Sequence, residues 1–486
     1  MNTSEQAPSD LPVAPLQQQP EPQQNPPSVV ASFLSRIATM FKIGVIGFLV
    51  LLLLIPLSMF ESRLRERLTT RNQAVTEITQ TWGSEQFVAG PLLQVPYEKT
   101  IVTRKEIFVD GKLVKTDVPT VVKRYAWFLP ADYDVKCSLA PSERYRGIYK
   151  AVLYRGDFVF KGTFARPNLQ EWKIEDNAVL WDEASVVFAV SDLRGVTNEL
   201  NIQFGDKKLP MQPGNSSLGF ANTLRAKLPI DLWTDTTGTS NVPFSLSIGL
   251  NGSGGVKIAP LGLQTTASIE SKWPDPNFQG LFMPEPPEIS ASGFKAVWKV
   301  AYYGRGYPQS WLSGSEEERD VDGSAIKKSG FGVDLYTPVD SYRLVERSVK
   351  YGILFIVMIF TGFFLFETLG KLRIHPLQYI LVGVALCLFY MLLLALSELM
   401  SFGWAYLIGS VTSGAMITFY SASVLKGSKR AQLIALELCV IFTFLYTTLQ
   451  LQDYALLLGT IGLFAALGIV MYATRNVDWY GTPTKK

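Results

Sequence analysis

The chain carries one histidine, His375, in "KLRIHPLQYILVG" beside Arg373 and Pro376. A Ser–His–Asp triad needs an imidazole within hydrogen-bond reach of a serine. Zinc or copper needs several His or Cys ligands, and the three cysteines (Cys137, Cys387 and Cys439) are scattered. A tight transition-metal site is therefore excluded, and His375 has either a catalytic partner in its own short loop or a structural task at a helix end. The other candidates are carboxylates. Glu437 follows Arg430 by seven residues inside an apolar stretch, about 10 Å deep at the rise of a helix, where an ionisable side chain is costly. It reads as a proton or substrate site, or as a protonated or hydrogen-bonded Glu facing a polar neighbour. Glu367 and Glu398 close apolar stretches and can snorkel to an interface. Asp192 and Arg194 in "SDLRG" read as a hydrolytic carboxylate with its cation, or equally as a turn held by an Asp–Arg pair. "EERDVDGSAIKKS" places Asp320, Asp322 and Gly323 at EF-hand-like spacing, but Ser329 stands where the bidentate Glu belongs. A solvated acidic loop is the simpler reading. No GxxxxGK[ST] phosphate loop occurs. No catalytic residue, cofactor or metal is assigned.

These residues must be positioned by elements of a membrane protein. Hydrophobic residues make up 48% of the 486, and they are clustered. A bilayer core takes roughly 20 apolar residues to cross as a helix. Six blocks qualify, at about 43–60, 351–367, 377–397, 404–424, 431–449 and 455–473. The first begins too deep for a signal peptide and lacks a small-x-small cleavage pattern, so it reads as an uncleaved anchor. Lys371 and Arg373, then Lys426, Lys429 and Arg430, then Arg475, Lys485 and Lys486 fall in alternate short loops and the tail. The intervening loops "SELMSFG" and "QLQDY" carry no Lys or Arg, so both termini are expected in the cytoplasm and residues 61–349 outside. Arg63, Arg65, Arg67 and Arg71 dissent from that pattern, and are overruled because long domains translocate largely regardless of local charge. The net charge of +3 comes without a basic stripe, which argues against nucleic acid as a partner.

The organisation along the chain follows. Residues 1–42 form a Pro/Gln-rich cytoplasmic tail, with 1–28 too poor in large apolar groups to fold. Residues 43–60 are the first span, 61–349 an external stalk helix and β-rich domain, 350–474 a five-helix bundle, and 475–486 a cytoplasmic tail. Leu64, Leu68, Val75, Ile78 and Trp82 recur at helical spacing until Gly83 ends the stalk. In "AVLYRGDFVFKGTF", Val152, Tyr154, Phe158, Phe160 and Phe164 alternate with Arg155, Asp157, Lys161 and Thr163. Phe244, Leu246, Ile248 and Leu250 alternate likewise before "NGSGG", a hairpin signal, and Phe294, Ala296, Trp298, Val300 and Tyr302 do so in "GFKAVWKVAYYGRG". Asp110-Gly111 is the dipeptide of a two-residue hairpin turn. The expected fold is α+β: six transmembrane helices, one plus five, with a large antiparallel β-sandwich-like domain inserted after the first. Cys137 has no external partner, so that domain has no internal disulfide and must rest on its core.

"LRIHPLQYILVGVALCLFYMLLLALSE" resembles the signature of the CreD inner-membrane proteins. "GPLLQVPY", "RYRGIYKAVLYRGDFVFKGTF", "VSDLRGV", "PLGLQTTASIESKWPDPNFQGLFMPE", "GFGVDLYTPVDSY" and "RSVKYGILFI" are similar to the family as well. The resemblance implies a Gram-negative inner membrane, a periplasmic β domain, a part in cell-envelope integrity, and a link to a two-component envelope and carbon-response regulon. It brings no catalytic residues and no cofactor. The family's third span usually closes on Ser-Glu-His, whereas this chain has Ser397, Glu398 and Leu399. The expected function is non-enzymatic: envelope maintenance by binding or signalling through the β domain. Membrane lipid is the expected partner class, a periplasmic or envelope protein a further one, and the oligomeric state stays open. The alternatives are a transporter or channel subunit using Glu437 with Ser410, Thr412, Ser413, Thr443 and Thr447, and a periplasmic hydrolase using carboxylates such as Asp192.

Overall fold

In the computed structural model, residues 29–475 are described, apart from 110–111, 216–217, 231–240, 315–320, 336–340, 371, 426 and 452. The Pro/Gln-rich stretch 1–28, the Asp110-Gly111 turn, the acidic run through Asp320 and the tail beyond Arg475 lie outside the described residues. Residues up to Leu64 and from Ser341 onward form one compact unit, and Arg65–Asp340 form a second.

Six helices are long and apolar enough to cross a membrane. The first is the outer part of α1 (Val29–Trp82), a single helix of 54 residues that begins inside the segment expected as tail and includes the expected stalk. Leu49, Leu53, Leu57, Phe60 and Leu64 are buried at intervals of three or four, so one face of α1 packs on the bundle. The other spans are α4 (Gly352–Leu369), α5 (Pro376–Ser397), α6 (Phe402–Val424), α7 (Ser428–Gln450) and α8 (Ala455–Thr474). Glycine brings these helices together: a Cβ at Gly383 of α5 would lie 2.1 Å from Leu53 of α1. Ahead of the bundle, Ser341–Lys350 form a short helix, α3, which the sequence reading had left with the external domain.

The second unit is a β-sandwich built around one aromatic core. One sheet runs β13 (Pro276–Gly280), β17 (Phe331–Leu335), β11 (Gly255–Ile258), β1 (Gln86–Val109), β5 (Ser185–Val190), β9 (Thr223–Lys227) and β8 (Gln212–Gly214). On its flank β2 (Lys112–Phe128) pairs with β1, and β16 (Ser310–Leu312) pairs with β2. The other sheet runs β14 (Glu288–Ser290), β15 (Gly293–Ala301), β12 (Gln264–Ser271), β3 (Asp132–Arg146), β4 (Tyr149–Phe164), β10 (Val242–Ser253), β6 (Asn201–Phe204) and β7 (Lys207–Pro210). The short helix α2 (Gly323–Lys328) precedes β17. The alternation read from the sequence has its physical cause in this core: Tyr154, Phe158, Phe160 and Phe164 are buried, and Arg155, Asp157 and Lys161 are exposed.

Two features depart from the expected antiparallel pattern. β1 pairs with β11 and β3 with β12 in parallel, so the sandwich is mixed. "NGSGG" does not close a hairpin either. β10 belongs to one sheet and β11 to the other, and the chain crosses between them at Gly254, whose φ of +71° suits glycine. Gly252 makes the crossing possible from the inside, because a Cβ there would strike the Tyr154 ring at 2.4 Å. Val109 pairs with Lys112.

Candidate functional site

The loop from Gly370 to Pro376 is organised by a carboxylate. Glu367 sits in the last turn of α4, where exposed helix carbonyls disfavour negative charge. It is nonetheless buried, with 6% exposure. Three donors offset this: the Lys42 ammonium at 2.6 Å and the Ile374 N–H at 3.2 Å on Oε1, and the Tyr379 hydroxyl at 3.1 Å on Oε2. The carboxylate thus joins α1, α4, α5 and their connecting loop. Glu367 was read as an interfacial side chain and Lys42 was not singled out. The available signal was an acid at the negative end of a helix, which calls for a cation from elsewhere.

Held by that loop, His375 is the N-cap of α5. Its Nδ1 accepts the Leu377 N–H at 3.2 Å, and the Gln378 side chain returns the favour by accepting the His375 N–H at 3.0 Å. Pro376 occupies the first helical position, where its missing N–H costs nothing. Arg373 is exposed. The expectation of a helix-end role for His375 is met, and no serine hydroxyl is among the hydrogen-bond partners found for its ring among the described residues. At the other end of α5, Glu398 accepts the Tyr342 hydroxyl of α3 at 3.0 Å. On the same short helix Arg347 donates to the carbonyls of Thr448 and Leu449 at the C-terminus of α7, a favourable place for a cation. Leu399 is 77% exposed.

Glu437 lies on α7 against α4. A Cβ at Gly362 would fall 2.2 Å from its Oε2, so the glycine opens the niche that the carboxyl occupies. The polar residues grouped with it in the sequence reading lie elsewhere. Ser410 and Thr443 line a groove of about 800 Å³ between α6 and α7, with Tyr406, Cys439 and Phe442. Ser413 is buried, while Thr412 and Thr447 are exposed. Glu437 and that groove occupy different faces of α7.

In the β unit, Asp192 and Arg194 form a latch on the end of α1. The Asp192 carboxylate accepts the Ser84 N–H and hydroxyl, each at 3.2 Å, and the Arg194 N–H at 3.1 Å. It also accepts Arg194 Nε at 2.9 Å and a terminal guanidinium nitrogen at 2.8 Å. Arg194 in turn donates to the Gln80 carbonyl at 2.9 Å, satisfying a helix-end acceptor of α1. Gln86 brackets the backbone of Asp192 from both sides. The Arg194 hydrogen bonds, with those from Ser84, hold the carboxyl well below the usual carboxylate range. An acid so fully engaged is a structural anion rather than a poised proton acceptor. Of the calcium reading, Asp322 is described, and its side chain caps α2 through the Ala325 N–H at 2.9 Å.

A second polar centre escaped the sequence reading. Arg305, 6% exposed, donates to the carbonyls of Leu261 and Gly262 at 2.5 and 3.0 Å and to the Tyr307 carbonyl at 3.3 Å. It also reaches the Gln309 amide oxygen, and the Gln309 amide nitrogen donates to Leu129 and Pro130. Burial lowers the Arg305 pKa to about 10. No local pattern in "YYGRGYPQS" announces that its arginine turns inward.

A family profile described as inner membrane protein CreD matches residues 38–480. The chain belongs to the CreD family. Inner membrane protein CreD of Escherichia coli (strain K12) is 32% identical over 431 residues, which are 89% of this chain and 91% of the relative. Two solved structures of an M1 zinc metallopeptidase from Deinococcus radiodurans cover 35% of this CreD-family chain at 7% identity, with 39% and 38% of their own chains covered. Their TM-scores are 0.16 and 0.15, a likeness too slight to bear on fold or function.

Proposed function

We propose that this CreD-family protein maintains the cell envelope under stress without catalysing a reaction, by coupling a binding event at its β domain to the membrane bundle. The observation that carries this reading is α1, one helix of 54 residues. Within the bundle it is pinned by Lys42 to Glu367, and within the β unit its end is latched by Arg194 and Asp192. A polar fixture on α1 in each unit costs a buried carboxylate in both places, a cost that a part in coupling would explain. The carboxylate with the clearest claim to chemistry, Asp192, already has its oxygens committed. In this reading both termini are cytoplasmic and residues 61–349 are periplasmic, as the basic residues of the short loops direct. The ligand is an envelope protein or envelope component.

The test breaks the helix and leaves both ends intact. Replacing Thr69-Thr70 with Gly-Gly costs about 1 kcal/mol of helix propensity per residue. Protein present at normal membrane levels, with its crosslinks from the β domain retained but envelope protection lost, is the expected result. Full protection with a broken α1 would overturn the coupling role.

A second reading, transport, draws on Glu437 in its Gly362 niche. A Glu437→Gln variant that keeps envelope protection removes it.

A further inference from the structure

Two acids stand inside the spans, Glu367 and Glu437, and their surroundings differ. Glu367 has Lys42, Ile374 and Tyr379 on its oxygens. Among the described residues no hydrogen bond or ion pair is found for the carboxyl of Glu437. It lies about 14 Å along α7 from Ser428 and about 20 Å from Gln450, too deep for so short a side chain to snorkel to either end. It rests instead on bare backbone: a Cβ at Gly362 of α4 would lie 2.5 Å from Oε1 and 2.7 Å from Cδ. The other edge of the carboxyl is open. Glu437 is half-buried, and its neighbours on the same side of α7, Leu433, Leu436 and Val440, are 52%, 60% and 58% exposed. A face of that composition on a membrane-spanning helix meets lipid.

The elements packed on α7 bring no counter-charge to it. On α7 itself the cations are Lys429, which is exposed, and Arg430, which donates to the Leu425 carbonyl at 3.1 Å. On α4 the one ionisable residue is Glu367, already held by Lys42. α5, α6 and α8, which also pack on α7, carry no Asp, Glu, Lys, Arg or His within their lengths. α3 meets α7 at its C-terminal end, through Arg347 on the carbonyls of Thr448 and Leu449. An ionised carboxyl with neither counter-ion nor donor is costly in hydrocarbon, so the neutral acid is the form that fits this niche.

We propose that Glu437 on Gly362 is a lipid-facing proton-binding site of the bundle, a carboxylic acid that keeps its proton for as long as α4 and α7 stay in contact there. Naming the proton as ligand deepens the transport reading without depending on it. Transport is judged by envelope protection in Glu437→Gln, and the site by the state of the native carboxyl. The full chain in nanodiscs at neutral pH is compared with Glu437→Gln by infrared difference spectroscopy, where the carbonyl stretch of a protonated carboxyl belongs to the native chain only. Native protein is also treated with dicyclohexylcarbodiimide, which dissolves in lipid, and in parallel with a water-soluble carbodiimide, and the adduct is located by mass spectrometry. In that reaction the acid's proton passes to a carbodiimide nitrogen as its oxygen bonds the central carbon. The lipid-soluble reagent is expected to modify Glu437 about tenfold faster than the water-soluble one, since the acid is reached from hydrocarbon, while Glu367 stays unmodified. The modification needs no variant, so it decides the matter even where Glu437→Gln folds poorly. A native chain without the protonated-carboxyl band overturns the proposal. So does a Glu437 that the lipid-soluble reagent leaves unmodified, or that both reagents modify equally.

Discussion

At the scale of single residues, Asp192, His375 and Glu367 are held in hydrogen-bond networks that tie elements together. Asp192 is the clearest case, with five hydrogen bonds on one carboxylate. Removing a buried acceptor of this kind strands its donors, so Asp192→Ala is expected to cost about 2–4 kcal/mol, read by thermal unfolding of the full chain. The pH dependence has a definite sign. The folded-state pKa lies below the unfolded one, so the contribution is complete above about pH 5 and declines as acid takes the carboxyl down toward its folded pKa. Asp192→Asn should flatten that acid limb relative to the native chain. His375 makes a milder demand. His375→Gln leaves folding and insertion intact, whereas His375→Ala costs about 1 kcal/mol of capping, seen as faster amide exchange in the first turn of α5. The capping role was legible, because a polar residue directly before proline and an apolar run is a helix start. The Lys42–Glu367 pair was not, since its partners stand 325 residues apart.

At the scale of elements, strands were easier to read than their partners. Alternation located the buried faces of β4, β10 and β15, because a half-buried strand shows its two environments in a period of two. Pairing left no such mark: the same glycine run serves a hairpin or a change of sheet, and only Tyr154 against Gly252 decides between them. The helix α3 escaped notice because its ten residues are too few to span a bilayer. Two element-level tests follow from close packing. Gly362→Leu should destabilise the bundle by displacing Glu437, and the loss should shrink in the Gly362→Leu, Glu437→Ala pair, a coupling measurable by a double-mutant cycle. Arg305→Met should cost about 3 kcal/mol or more, since it leaves buried carbonyls of the 260–262 segment without donors. Its signature is faster exchange confined to that segment and to residues 129–130.

At the scale of the whole molecule, composition alone divided the chain into a membrane bundle and a β domain, because a span and a sandwich differ in how they satisfy backbone groups. The continuation of the first span into the stalk was legible from Leu64, Leu68, Val75, Ile78 and Trp82 at helical spacing, and α1 is one helix from Val29 to Trp82. Within the β unit the last turns of α1 act as an angular ruler, since Glu77, Gln80 and Trp82 each meet a fixed partner. Each residue added to a helix turns everything beyond it by about 100° and lifts it about 1.5 Å. One residue inserted between Glu77 and Gln80 would thus swing the Glu77 carboxylate away from Arg146 while the Gln80 carbonyl keeps its bond from Arg194. Seven or eleven inserted residues bring the face back to within about 20°. The phase of this stretch is accordingly set by its partners, and a single-residue insertion between Glu77 and Gln80 should cost the full chain more thermal stability than Glu77→Gln alone.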